Sequence, residues 1–160
     1  MEAIMYQPVG VINSPYQTRA GMPIQASGAL GIRGTINIFP EYGDGLQDLD
    51  GFSHIILLYH FHRTQEKALV ITPFLDDQPR GVFATRSPNH PNAIGISIVR
   101  LLAVEGLRLS IQDVDILDGT PLLDIKPYVP SFDHRRPERV GWLEKTQRKA
   151  GQQRSDERFK

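Results

Sequence analysis

From Val9 to Tyr128 the apolar residues of this chain come in short runs, separated by Gly, Pro, Asn and Asp. Alternation at period two makes a strand with one buried face, whereas a helix needs apolar positions three and four apart. Phe52 to His62 is the clearest strand, rich in Ile, Tyr and Phe and free of Pro and Gly. In strand geometry Ile55, Leu57, Tyr59 and Phe61 share one face, and His54, Ile56, Leu58, His60 and His62 the other. Further strands are expected over 9–12, 34–39, 67–74, 82–85, 94–104, 107–111, 114–117 and 122–128, with a turn at Gly119-Thr120-Pro121. One helical turn fits Gly43 to Gly51, where Leu46 and Leu49 are three apart. Helical composition appears from Glu138 to Lys149. Many short strands with so little helix specify an all-β barrel or sandwich. An alternating βα pattern is missing, and no Gly-x-Gly-x-x-Gly follows the first strand.

At 160 residues the chain is long enough for one domain with a real core. We divide it into residues 1–134, the barrel, and 135–160, a basic helix and tail. There is no cysteine, which excludes disulfides, thiolate metal sites and a Cys nucleophile and suits a reducing cytoplasm. No basic segment followed by an apolar run opens the chain, so a signal peptide is not expected. The longest apolar run, Ile55 to Tyr59, is too short for a bilayer, and no membrane partner is expected. Residues 135–160 carry nine of the 18 Lys and Arg but four of the 18 Asp and Glu, a net +5 that leaves −5 on residues 1–134. Such a tail suits an anionic partner such as RNA; a solvated helix with a frayed end has the same composition.

Three segments could carry chemistry besides a loop built on prolines. That loop lies within Gly81 to Ser97, whose ends read as strand. Pro88 and Pro91 lack donors and bias their predecessors to extended geometry, so Ser87 to Asn92 is expected to be a stiff, irregular loop. It presents Arg86, Ser87, Asn89, His90 and Asn92 together, more polar groups than a plain turn needs. The first of the three segments is the aperiodic opening loop, Gln17 to Gly34, which is longer than most loops in compact domains. The second is Asp113 to Tyr128, with Asp113, Asp115, Asp118 and Asp124. Asp118 suits a turn. Asp124 and Lys126 share one strand face opposite Leu123 and Ile125, as an ion pair or as a site carboxylate with a helper cation. The third is His54, His60 and His62. His-x-His on a strand aims two imidazoles alike, with His54 or His90 as a possible third ligand. A strand with one wet face has the same residues, and no metal site is assigned.

Ala-Thr-Arg-Ser-Pro-Asn-His-Pro-Asn-Ala-Ile-Gly-Ile-Ser (84–97) and Asp-Ile-Leu-Asp-Gly-Thr-Pro-Leu-Leu-Asp-Ile-Lys-Pro-Tyr (115–128) resemble the TsaA-like family, whose characterised members are TrmO-type tRNA methyltransferases. Gly10-Val11-Ile12-Asn13-Ser14-Pro15-Tyr16 and Gly51-Phe52-Ser53-His54 look like its other two blocks, so the resemblance covers roughly residues 5–130 in order. It implies a small, mainly antiparallel β-barrel, to which the composition of 138–149 adds a C-terminal helical extension. It also implies a homodimer that binds S-adenosylmethionine; a cytoplasmic location is expected from the absence of cysteine. The reaction it implies is methylation of the exocyclic amine of threonylcarbamoyl-adenosine beside the anticodon of threonine tRNA. DNA is not an expected partner. Cofactor contacts of such proteins would fall on Ala26, Ser27 and Gly28, on His62 and Arg63, on Arg86 and Ile96, and on Leu122, Leu123, Asp124 and Ile125.

Physical roles follow from the cofactor's groups. Arg86 could hold its carboxylate in a bidentate pair. Asp124 could take its ammonium or a ribose hydroxyl, and Ala26 to Gly28 would allow close backbone approach. An adenine amine is a weak nucleophile that must lose a proton, and Asp124, Tyr128 and His62 are candidates to assist, with Asp124 and Tyr128 taken as the catalytic pair. The chain departs from the family's usual motif at His90, where an Arg is usual, and at Ala93, where a Pro is usual. It is also expected to lack the further C-terminal domain of long bacterial members. Alternatives are the same barrel acting on another acceptor, a non-catalytic RNA- or ligand-binding barrel, or a His-based metal enzyme.

Overall fold

A computed structural model describes residues 2–18, 20–23 and 28–145, the last without its side chain. Six strands close a barrel: β1 (Gly10–Asn13), β2 (Arg33–Ile38), β3 (His54–His60), β6 (Ile94–Glu105), β7 (Arg108–Gln112) and β8 (Thr120–Pro127). Their order around the barrel is β1-β2-β7-β6-β3-β8, and every neighbouring pair is antiparallel. β4 (Val70–Ile71) and β5 (Arg80–Gly81) form a separate two-stranded piece outside it. Closure removes free sheet edges, which suits short strands of this composition.

The inner face follows the alternation. Ile55 and Leu57 of β3 are fully buried, as are Ile12, Ile36, Val99, Leu109, Ile111 and Leu122 from the other strands. Each such side chain contributes about 1.5–3 kcal/mol by leaving water. On the outside of β3, His54, Ile56 and Leu58 are half-buried and His60 is exposed. One register shift follows Leu58: Leu58 pairs with Asp124 but Tyr59 with Leu122. The extra residue, Leu123, changes the phase of β8. Leu122 is therefore buried and Ile125 packs on the core, while Asp124 and Lys126 form an exposed ion pair, 2.8 Å apart.

Four expected elements differ. The strand over 67–74 shrinks to β4, because its companions are loops rich in Pro, which lacks a donor. Val82–Ala84 is a 3-10 turn rather than a strand, closed by the Thr85 hydroxyl donating to the Val82 carbonyl at 2.7 Å. Residues 114–117 are not a strand. Asp113, at φ 70°, ends β7, and Val114 and Ile116 then cross and seal the barrel end, fully or almost fully buried. Thr120 and Pro121, expected in a turn, begin β8 after Gly119 at φ 73°.

The helical turn expected at 43–51 is present as two 3-10 helices, Pro40–Leu46 and Leu49–Gly51. The C-terminal segment shows a four-residue helix, α1 (Pro130–Asp133), and a 3-10 helix, Gly141–Lys145. Gly141, at φ 59°, interrupts the longer helix expected from 138, whose residues 146–149 lie outside the described ones. Most of the basic tail lies there too.

Candidate active site

A cavity of about 720 Å³ opens at one end of the barrel. That end is where β3 finishes and where β6 and β8 begin, since Tyr59 pairs with both Gly95 and Leu122. Its size falls within the range of about 300–1,000 Å³ that accepts a small molecule. Its walls come from separate parts of the sequence: Met22 and Pro23 of the opening loop, Tyr59 and Phe61 to Arg63, Phe83 to Pro88 and His90, Ile94 to Ile96, Asp115 to Leu117, and Trp142 with Leu143.

Two aspartates fasten the opening loop to this end. Asp113 Oδ1 accepts the Gly31 N–H at 2.7 Å. Asp118 accepts from Asn13 Nδ2 at 3.0 Å, from the Ser14 N–H at 3.1 Å and from Gln17 Nε2 at 3.1 Å. The Asn13 bond first, and the Gln17 and Ser14 bonds with it, hold the Asp118 carboxyl below the usual carboxylate range. Both are structural clasps.

The proline loop is irregular, as its sequence implies. Ser87 and Asn89 are buried, and the Asn89 N–H donates to Ser87 Oγ at 3.1 Å. His90 lines the cavity; its Nε2 is 3.2 Å from the Thr85 carbonyl, and its ring meets the exposed Phe83 edge-on at 5.8 Å. The chain beyond the barrel returns to the same rim. Trp142 Nε1–H donates to the Ala84 carbonyl at 2.8 Å, and Arg80 lies over its ring at 5.7 Å.

The cavity floor is polar. Tyr59 Oη lies 3.1 Å from Ser97 Oγ, and Ser97 donates to Asp115 Oδ1 at 2.6 Å. Gly95 makes this possible: a Cβ there would collide with the Tyr59 ring, which lies against the bare backbone. Burial pushes the Asp115 carboxyl above its usual range; the Ser97 bond, its own N–H and the Arg86 charge oppose this in decreasing measure. Burial, with the charge of Asp115, likewise raises the Tyr59 hydroxyl well above its usual value.

Of the residues expected to bind a cofactor, His62, Arg63, Arg86 and Ile96 meet at this cavity. Gly28 is half-buried in the opening loop, outside the cavity lining; Ala26 and Ser27 lie outside the described residues. Leu122 is core and Leu123 occupies the bulge. Asp124 and Ile125 line a second, smaller hollow of about 340 Å³ with Phe52 and Pro127, at the other end of β3 and β8. Tyr128 stands there as well, its ring 6.4 Å from that of His54. Within one chain, then, Asp124 and Tyr128 do not share a cavity with Arg86. The three strand histidines also separate: His54 bonds Ser53, His60 is exposed, and His62 Nδ1 is 3.3 Å from the Thr120 hydroxyl. Among the described residues no three His, Asp or Glu side chains stand close enough to hold a metal ion.

Sequence reasoning missed Asp115, Ser97 and Tyr59 as a group. Ser97 closes the Gly95-Ile96-Ser97 signature, and Tyr59 is the one aromatic with a hydroxyl on the inner face of β3. Only the fold brings them together with Asp115.

A closed six-stranded antiparallel barrel with a cofactor-sized cavity at one end is thus the setting for the comparisons. Residues 11–134 match the tRNA-methyltransferase O N-terminal domain, and the chain belongs to that family. A probable S-adenosyl-L-methionine-binding protein of Pyrococcus abyssi is 56% identical over 156 residues, covering 98% of this chain and 85% of that protein. The human tRNA (adenine(37)-N6)-methyltransferase is 39% identical over 139 residues, covering 81% of this chain but 31% of its own length. The crystal structure of TrmO from Pseudomonas aeruginosa superposes with a TM-score of 0.74 at 36% identity, covering 89% of this chain and 62% of that one. The chain therefore spans less than two thirds of the methyltransferases it matches, while it nearly matches the archaeal protein in length.

Proposed function

We propose that this chain binds S-adenosylmethionine in the barrel-end cavity and methylates the exocyclic N6 amine of an adenosine in tRNA. The carrying observation is the convergence of Arg86, Arg63, His62 and Ile96 on one cavity of about 720 Å³. The donor set fits the cofactor. Arg86 and Arg63 supply cationic groups for its carboxylate, and Phe83, Ile94 and Ile96 supply apolar walls for its adenine. When bound, the cofactor supplies an electrophilic methyl group. Arg86 and the proline loop orient it, and the stiffness of Ser87 to Asn92 limits the freedom lost on binding. Relatives whose names specify adenine 37 N6 support an adenosine of tRNA as acceptor; the threonylcarbamoyl-adenosine of threonine tRNA is the acceptor we take from the family resemblance. His90 stands in the cavity wall where the family's usual motif has Arg, and it is the position where the acceptor would differ.

The active form in this proposal is a homodimer. Ile94, Ile96, Ile98 and Leu102 on the outside of β6 remain between 40% and 52% exposed, next to Ile56 and Leu58 of β3. A contiguous apolar face of this kind marks an association surface, and a two-fold axis buries it against its own copy. Leu58 pairs with both Ile96 and Asp124, so that surface joins the cavity wall to β8. A second copy is thus the route by which Asp124, with Leu123 and Ile125, would reach a cavity.

The test is mass spectrometry of nucleosides from tRNA incubated with purified protein and S-adenosylmethionine. Methylated threonylcarbamoyl-adenosine supports the proposal; a methyl group on another nucleoside moves the acceptor, and none on any tRNA overturns it.

A further inference from the structure

Resting on the methyltransferase reading, we propose that Asp115 is the catalytic base of this barrel, held on the cavity floor by Ser97 and Tyr59 to accept the proton of the methylated nitrogen.

Three elements converge to build the arrangement. Tyr59 comes from β3, Ser97 from β6 and Asp115 from the connection that seals the barrel end. Ser97 donates to Asp115 Oδ1 at 2.6 Å, so its oxygen is the acceptor for the Tyr59 hydroxyl at 3.1 Å. Both hydroxyl protons thus point towards the carboxylate, and the chain of bonds ends on a group that lines the cavity. A carboxylate placed only for stability would be paired with a cation or left in water. Asp115 instead has a neutral hydroxyl as its close donor, and Gly95 is spent on letting Tyr59 reach that hydroxyl. Of the charged and titratable groups, Arg86 from the proline loop and Tyr59 from β3 interact with it electrostatically, and His62, Arg63 and His90 line the same cavity. Burial raises its proton affinity, and a base works best when that affinity suits the operating pH.

The step balances as follows. The nitrogen lone pair forms the N–C bond, the sulfonium C–S bond breaks, and its electrons remain on sulfur as a neutral thioether. The N–H electrons return to nitrogen as its lone pair, and the proton passes to Asp115 and later to solvent. Within one chain Asp124 and Tyr128 stand at the other end of the barrel, away from this position, and the Asp124 that a second copy would bring is assigned to cofactor affinity.

The experiment compares full-length wild type with Asp115→Asn and Asp115→Glu. Calorimetry with S-adenosylmethionine should show Asp115→Asn within about tenfold of wild type. Single-turnover methylation of total tRNA should fall by about 100-fold or more and lose the acidic limb of its pH profile. Asp115→Glu should keep that limb at a reduced rate. Carbon-13 NMR of aspartate-labelled protein without cofactor should show one carboxyl titrating above the usual range, absent from Asp115→Asn. An asparagine variant that methylates like wild type overturns the proposal. So does one whose cofactor affinity collapses, because Asp115 would then be a ligand for the cofactor's cation. A wild type that does not bind S-adenosylmethionine overturns the methyltransferase reading, and this proposal with it.

Discussion

The two ends of the barrel hold the same chemical pair in opposite surroundings. At one end Tyr59 and Asp115 share a buried hydroxyl and line a cavity of about 720 Å³. At the other, Asp124 pairs with Lys126 in solvent and Tyr128 leans on His54 beside a hollow of about 340 Å³. An exposed ion pair contributes about 0–1 kcal/mol, whereas burial changes what a carboxylate does with a proton. The lesson is that residue type marks candidates and the barrel's register sorts them. The extra residue Leu123 puts Asp124 outside, while the crossing of residues 114–117 puts Asp115 inside.

The comparison can be broken most sharply by turnover. Asp115→Asn is expected to slow methyl transfer by about 100-fold or more with cofactor affinity retained. Asp124→Asn is expected to act on cofactor affinity, and only in the dimer. Ile98→Glu, which charges the apolar face, should yield monomers by light scattering and abolish the effect of Asp124→Asn in a double-mutant cycle. A persistent Asp124 effect in the monomer would break the contrast between the ends.

Stability sharpens it next. Gly95→Ala should cost about 1–3 kcal/mol in denaturant unfolding, because its Cβ meets the Tyr59 ring, while Gly81→Ala meets nothing within 4 Å and should be near neutral. Asp118→Ala, which removes hydrogen bonds to Asn13, Ser14 and Gln17, should cost about 1–3 kcal/mol.

The smallest effect is the pH dependence, where Asp115 and Asp118 have opposite signs. The folded Asp118 carboxyl sits below its unfolded value, so its contribution is present above the usual carboxylate range and is lost as pH falls through the folded value. The folded Asp115 carboxyl sits above its unfolded value, so burial costs nothing below the usual range and costs most once pH exceeds the folded value. Thermal melts should show Asp115→Asn gaining on wild type as pH rises, and Asp118→Asn losing on it. Parallel curves would contradict both assignments.

Much of this architecture was legible because alternation reports a buried face directly. β3, β6, β7 and β8 fall within a few residues of their expected places, and the inner face of β3 is as the pattern gives it. What alternation could not report was the bulge at Leu123, the left-handed Asp113 that turns residues 114–117 into a plug, or the 3-10 turn under Thr85. These depend on single backbone conformations that carry no periodic trace. Arg86 and His62 were legible as cavity residues through the motif that holds them. Asp115 was not, because its partners Ser97 and Tyr59 are 18 and 56 residues away and meet it only across the closed barrel.

The central claim is that the Arg86 end of the barrel is where S-adenosylmethionine binds, and calorimetry tests it most directly. The account predicts saturable binding to wild type and a loss of about 1.5–3 kcal/mol, one to two orders of magnitude in affinity, for Arg86→Ala. Equal affinity for wild type and Arg86→Ala, or no binding at millimolar cofactor, would contradict it.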